Sequence, residues 1–324
     1  MTEKMLLAKK DFSRFGFALF AIGIITAVLQ IVFGVIWGAF LMDTPLGDME
    51  IMQWILTMAP MYLVAVPIGL VLMKKLPTES VEKKKLGIGR FWLMMLISMP
   101  VMYGGNFLGN MLSSLLSGGN AENVLLDYVM GNPLYSFIFT VLLAPLIEEF
   151  IFRKQVIDRL GKYGEKTAIL FSGITFGLFH MNLFQFFYAF GLGVIFAYVY
   201  TRTRMLRYPV IMHMIINFMG SVIAPLLLTL LDPDIMTAME TGTATSEQML
   251  QALPGMLAFL GYTFLLLGSS IAGLVVLIVR WKKAQYCPAS QELLPGTGRD
   301  VIIRSPGMIV FTVFCLVMIV LALF

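Results

Sequence analysis

Two carboxylates, Glu148 and Glu149, stand side by side within an apolar stretch, Leu134–Arg153 (LYSFIFTVLLAPLIEEFIFR). The stretch reads as a membrane-crossing helix, where each charged side chain costs about 2.5–3.5 kcal/mol on insertion scales. Two adjacent carboxylates in such a helix therefore call for a use. Glu149 and Arg153 are at i and i+4 and can pair. Glu148 is turned about 100° from Glu149 by the helical period, so it faces a different neighbour. One carboxylate can be held by the arginine while the other looks into the bundle. Pro145, just before the pair, removes a backbone donor and predicts a kink.

The chain has only two histidines, His180 and His213, and both lie in apolar segments. His180 closes the pattern Phe176-Gly-Leu-Phe-His180, in which Phe176 at i−4 can buttress the ring. His213 opens the pattern His213-Met-Ile-Ile-Asn217, whose ends share a helix face. Together these side chains suit hydrolysis. A carboxylate in a low-dielectric pocket can act as a general base near neutral pH. A histidine can orient a water, and an Asn amide can donate to an oxyanion. Glu148, His180 and His213 also form a two-His, one-Glu set of the kind that holds catalytic zinc with water as fourth ligand. HExxH is absent. Each residue also has a plain reading. Glu149–Arg153 can be a structural pair at the membrane border, Glu148 a proton-relay carboxylate, and the histidines and Asn217 interhelical hydrogen-bond formers.

The elements that must position these residues are membrane helices. Of 324 residues, 59% are hydrophobic and 13% charged, which defines an all-α polytopic membrane protein. Two cysteines, Cys287 and Cys315, exclude a disulfide framework, and the 25 methionines read as core and lipid-facing filler. Apolar runs predict eight to nine spans: Phe15–Met42, Ile51–Met73, Phe91–Leu116, Leu134–Arg153 with an amphipathic extension ending at Gly161 or Gly164, Lys166–Met181, Leu183–Tyr200, Pro209–Leu231, Gly255–Arg280 and Pro306–Phe324. The fifth and sixth make a tight hairpin with an apex of a residue or two. Glycine pairs spaced as GxxxG occur at Gly34/Gly38 and Gly105/Gly109, and Gly173/Gly177 offer a third close approach. The organisation is three leading spans (1–133), a core bearing the motifs (134–231) and two closing spans (232–324), in one membrane-embedded unit.

All 23 Lys and Arg fall in alternate loops or flanks: the N-terminus, 74–90, 153–166, 202–207 and 280–304. The intervening loops carry only Asp and Glu. The positive-inside rule then places the N-terminus in the cytoplasm and, with nine spans, the C-terminus outside. This charge pattern creates an axial conflict. Glu148 is five residues from Arg153 and His213 six from Arg207, about 8–9 Å from that border. His180 is fourteen residues from Lys166, roughly 21 Å. To meet the others, His180 requires a fifth helix that starts well outside the membrane or tilts strongly. A separation above about 10 Å between His180 and Glu148 would undo a common site.

EExxxR, FxxxH and HxxxN on successive helices resemble the signature of the CPBP family of intramembrane proteases, which includes CAAX prenyl endopeptidases and bacteriocin-processing or self-immunity proteins. The resemblance covers about Leu134–Leu231. It implies Glu148 as the base activating water with His180, Glu149 and Arg153 in support, and His213 and Asn217 stabilising the oxyanion. Both a zinc and a metal-free glutamate mechanism stand for the family. The implied protein cleaves a peptide or membrane-associated protein near the cytoplasmic face of the cell membrane, with the lipid bilayer as its setting and no nucleic-acid partner. A proton-coupled carrier, which internal symmetry would mark, and an idle immunity or scaffold protein are the alternatives. Substrate and oligomeric state are not legible.

Overall fold

The structure, a computed structural model, describes residues 2–79 and 81–324. Its described residues form helices and turns, with no strand among them. Nine helices among the described residues are long: α1 Glu3–Leu41, α2 Glu50–Met73, α3 Ile88–Ser117, α4 Pro133–Tyr163, α5 Glu165–Phe179, α6 Leu183–Thr203, α7 Arg207–Leu228, α8 Ser246–Lys283 and α9 Pro306–Leu321. Seven of them are long and apolar enough to cross a membrane. The other two expected spans, α5 and α9, have 15 and 16 residues. At about 1.5 Å per residue they are shorter than a hydrocarbon core of about 30 Å. The chain is a polytopic helical bundle.

Helix boundaries follow local chemistry. Asn182 caps α6 by accepting from the Gln185 N–H at 2.9 Å. Thr245 and Gln248 form a reciprocal capping box that starts α8 earlier than the apolar pattern suggested, so Pro254 lies inside the helix. Gly164, at φ 133°, joins α4 to α5 in a conformation that suits glycine.

α4 is the central departure from a regular helix. Wide π-helical turns at Phe137–Leu143 and Phe150–Gln155 bracket the regular segment Ala144–Glu149. Pro145 has no N–H and its ring crowds the preceding turn, so the helix widens where a simple kink was expected. α2 has the same feature at Pro60–Ala65. α4 then continues unbroken past Arg153 to Tyr163, as the expected amphipathic extension. Arg153 is fully buried, and Arg159 and Lys162 are nearly so.

Glycines set the closest helix approaches. A Cβ on Gly105 would lie 2.5 Å from Tyr188 N, and one on Gly109 2.5 Å from Leu183 O. A Cβ on Gly177 would lie 2.9 Å from Phe186 O. α6 is thus gripped between α3 and α5 by both glycine pairs. Gly34 and Gly38, with the same spacing, have nothing near them. The first and last helices join the same core: Ala8, Phe12, Phe15 and Leu19 pack with Phe311, Cys315, Ile151, Phe152 and Phe171.

Candidate active site

Glu149 and Arg153 form a pair whose side chains are wholly buried. Arg153 Nη2 donates to Glu149 Oε1 at 2.9 Å, and Nε lies 2.8 Å from Oε2 as an ionic contact. Arg153 Nη1 donates to Ser172 Oγ at 3.2 Å, and that hydroxyl donates to the Phe152 carbonyl at 2.6 Å. The guanidinium stands over the Phe176 ring, 4.4 Å from its centroid. A charge removed from water is compensated here by its counter-ion, hydrogen bonds and an aromatic face.

His213, on α7, reaches the same carboxylate: its Nδ1 is 3.0 Å from Glu149 Oε1. The carboxylate accepts, so Nδ1 carries a proton, and Nε2 is left facing Glu148 Oε2 at 3.9 Å. His180 follows the same rule. Its Nδ1 lies 2.8 Å from the Phe176 carbonyl, which can only accept, so Nε2 is again the unengaged nitrogen. Phe176 packs against both rings, with centroids at 4.8 Å to His180 and 5.9 Å to His213. The expected buttress therefore serves two histidines.

α5 begins at Glu165, directly after the end of α4, so the two helices share one tight turn. Glu148 and His180 are each sixteen residues from Gly164, the turn of the antiparallel α4–α5 hairpin. The Arg153–Ser172 contact bonds the two arms to each other. Arg153 lies ten residues inside α4, so distances counted from it understate how deep Glu148 sits. The hairpin apex has three residues, one more than expected, and His180 is the cap that ends α5. Met181 follows with φ 55° and turns the chain into α6.

Asn217 is turned partly elsewhere. Its Nδ2 donates to the Thr140 carbonyl at 2.9 Å, two turns before Glu148 on α4. One amide N–H and the amide oxygen remain. Glu148, His180 and His213, the zinc set offered by the sequence, are not gathered as metal ligands. Among the described residues no group of three His, Cys, Asp or Glu side chains is placed to hold a metal ion.

Three polar side chains at the start of α6 escaped the sequence reading: Asn182 donates to the His180 carbonyl and to Gln185 Oε1, both at 2.8 Å, and Gln185 Nε2 donates to Tyr188 Oη at 3.0 Å. The polar residues Asn182, Gln185 and Tyr188, at intervals of three in an apolar helix, were the available signal.

The family described as "Type II CAAX prenyl endopeptidase Rce1-like" matches residues 130–219, a segment holding all six candidate side chains. The chain is similar to the Bacillus subtilis protein named "Putative membrane peptidase YdiL", with 31% identity over 31% of this chain and 42% of that protein. It is also similar to "Membrane-embedded CAAX protease MroQ" of Staphylococcus aureus, with 30% identity over 44% of this chain and 60% of that protein. The chain thus spans about half the length of these curated relatives. No solved structure matches it at a significant level. The match over residues 130–219 holds all three motifs that carry the resemblance to the CPBP family of intramembrane proteases.

Proposed function

We propose that this protein is an intramembrane endopeptidase in which Glu148 is the general base. The observation that carries this reading is the division of labour between the carboxylates. Glu149 is engaged by Arg153 and His213, whereas Glu148 accepts no hydrogen bond among the described residues and faces the bare Nε2 of His213. In the proposed reaction Glu148 takes a proton from water as the water oxygen bonds to the scissile carbonyl carbon. The negative charge on the carbonyl oxygen is met by donors. When His213 carries both protons, Glu149 holds Nδ1–H and Nε2–H is left to donate, beside the second Asn217 N–H. Glu148 then returns its proton to the nitrogen as the C–N bond breaks. His180 Nε2 accepts from the water and orients it.

No step is routed through a metal. The zinc reading of Glu148, His180 and His213 is separated by a chelator. The substrate class is a peptide segment of a membrane-associated protein. The positive-inside pattern supports a cell-membrane location with the site reached from the cytoplasmic side.

The test is cleavage of a panel of vesicle-bound peptides, prenylated and unprenylated, by the purified protein. Wild type is compared with Glu148→Gln and His213→Ala, each with and without chelator. Loss of cleavage in both variants and indifference to chelator are the expected results. Loss on chelation that zinc restores would replace the base mechanism with a metal one. Cleavage that survives both substitutions would place the site elsewhere, and the absence of cleavage across the panel would favour a carrier or scaffold.

A further inference from the structure

Ser172 shares one face of α5 with Phe176 and His180, each a helical turn apart. Its side chain is fully buried. Oγ donates to the Phe152 carbonyl at 2.6 Å, and that carbonyl can only accept. The single hydroxyl hydrogen is thereby used. Toward Arg153 Nη1, 3.2 Å away, Oγ can only accept, and a guanidinium can only donate. Both bonds therefore have a fixed direction.

Arg153 depends on this contact for its rotation. The Phe176 and Phe196 rings lie against the guanidinium, with centroids 4.4 and 5.7 Å from Cζ. An aromatic face attracts the cation without fixing its turn within its own plane. At Glu149 that turn is opposed by one aligned bond: Nη2 donates to Oε1 at 2.9 Å, whereas Nε and Oε2, 2.8 Å apart, are not aligned as a hydrogen bond. An arginine and a carboxylate frequently close into a fork of two parallel bonds. Ser172 holds the remaining nitrogen, Nη1, and keeps the guanidinium out of that fork. Glu149 Oε1 is thereby shared with His213 Nδ1, 3.0 Å away. The series runs from the Phe152 carbonyl through Ser172, Arg153 and Glu149 to His213, with every link a direct contact. Its last ring turns Nε2 to Glu148 Oε2 at 3.9 Å.

We propose that Ser172 is a positioning residue of the site: its hydroxyl fixes the rotation of Arg153, so that Glu149 Oε1 stays on His213 Nδ1 and the ring keeps its proton there. The catalytic part of this role rests on the protease reading of Glu148 and His213, whereas the placement of the proton does not. Without the hydroxyl, Arg153 and Glu149 close into the fork and Oε1 leaves Nδ1. In the neutral ring the proton then moves from Nδ1 to Nε2. His180 stands outside the series, because the Phe176 carbonyl holds its Nδ1.

With only two histidines in the chain, each ring can be read directly. In full-length protein carrying isotopically labelled histidine, nuclear magnetic resonance shifts of the ring nitrogens tell which nitrogen bears the hydrogen. A His180→Gln protein assigns the two rings. Spectra are recorded at alkaline pH on protein that elutes as a single species. Ser172→Ala should move His213 toward the Nε2–H form and leave His180 at its wild-type shifts. Ser172→Cys keeps the shape, is a weak donor and acceptor, and should shift His213 the same way. Ser172→Thr keeps the hydroxyl and should keep both rings as in wild type. On a peptide that wild type cleaves, Ser172→Ala should lower kcat by about tenfold with KM within about twofold, and Ser172→Thr should restore it. A serine that only ties α5 to α4 would lower the unfolding midpoint without moving the His213 proton. An unmoved His213 in Ser172→Ala or Ser172→Cys therefore overturns the proposal, whatever the loss of stability. A shift of both histidines, or the same shift in Ser172→Thr, overturns the hydroxyl as its cause. A moved proton beside unchanged kcat overturns the positioning role. Cleavage retained by Glu148→Gln overturns the protease reading instead, with the His213 shifts still deciding the series.

Discussion

Neighbouring glutamates on α4 have opposite dependences on their surroundings. Glu149 is completely enclosed with Arg153, and removing one member leaves the other charged, buried and unpaired. Such a loss costs about 3–5 kcal/mol, whereas replacing both partners by apolar residues is often near neutral. Arg153→Leu should therefore lower the thermal unfolding midpoint sharply in detergent, and Glu149→Leu/Arg153→Leu should recover much of it. The double variant should stay inactive, because His213 Nδ1 loses its acceptor. Equal destabilisation by the single and double variants would show that the pair is not the source of the effect. Glu148→Gln should behave differently. Glu148 accepts no hydrogen bond among the described residues, so the unfolding free energy should stay within about 1 kcal/mol of wild type, and the midpoint close to it, by the usual scale of substitutions away from such networks. Turnover should fall by at least about a hundredfold, as expected for a lost general base. A retained midpoint with retained turnover would remove Glu148 from the reaction.

At the scale of helices, equal sequence signals carry unequal weight. Gly34/Gly38 and Gly105/Gly109 share one spacing, yet only the second pair receives a neighbouring backbone. Gly105→Ala drives a methyl into Tyr188 N and Gly109→Ala drives one into Leu183 O, and overpacking of this kind costs about 1–3 kcal/mol. Gly34→Ala should be neutral or slightly stabilising, since Ala is the better helix former and nothing lies within reach. Unfolding midpoints of the three variants check the contrast, and equal midpoints would refute the grip on α6. The same comparison shows what was legible. Apolar runs located the long helices because burial and hydropathy act along each segment. The i, i+4 spacings paired Glu149 with Arg153 and set Phe176 under His180. Depth was not legible, because Arg153 looked like a border residue and its burial depends on Ser172 and Phe176 arriving from α5. The π-helical turns flanking Ala144–Glu149 were equally hidden, since Pro145 signals a disturbance without specifying a widened turn.

The whole molecule gathers its positive charge at one end. Asp11 on α1 holds Lys162 at 3.0 Å and the Tyr163 hydroxyl at 2.7 Å. Glu79 N–H donates to the Asp158 carbonyl at 2.9 Å, and the Asp158 carboxylate holds Lys154 and Arg204. The segment after α8, which reads in sequence only as a basic loop, crosses the hairpin turn: Gln291 and Leu293 N–H donate to the Lys162 and Tyr163 carbonyls at 2.8 and 3.1 Å. Glu165 binds both Arg202 and the Cys287 N–H. All five basic segments are thus bonded into one face, while two of the acidic loops meet where Glu50 accepts from Asn132 N–H. A single face this rich in Lys and Arg predicts a cytoplasmic orientation. The chain carries its own reporter. Cys287 is exposed on that face and Cys315 is buried within α9. A membrane-impermeant maleimide should label inside-out vesicles and not sealed cells, and Cys287→Ser should abolish the label. Labelling of sealed cells would invert the orientation and, with it, the side of the membrane nearest the α4–α5 turn. Glu148 lies fifteen residues, about 22 Å of helix, from Tyr163 at that turn. A substrate arriving from the basic face must therefore reach deep into the bundle, so a peptide short of that length should be cut only when a lipid-soluble segment carries it into the bilayer. Cleavage rates for a series of vesicle-bound peptides, with the scissile bond set progressively farther from the membrane anchor, would test that depth. A rate independent of the spacing would contradict it.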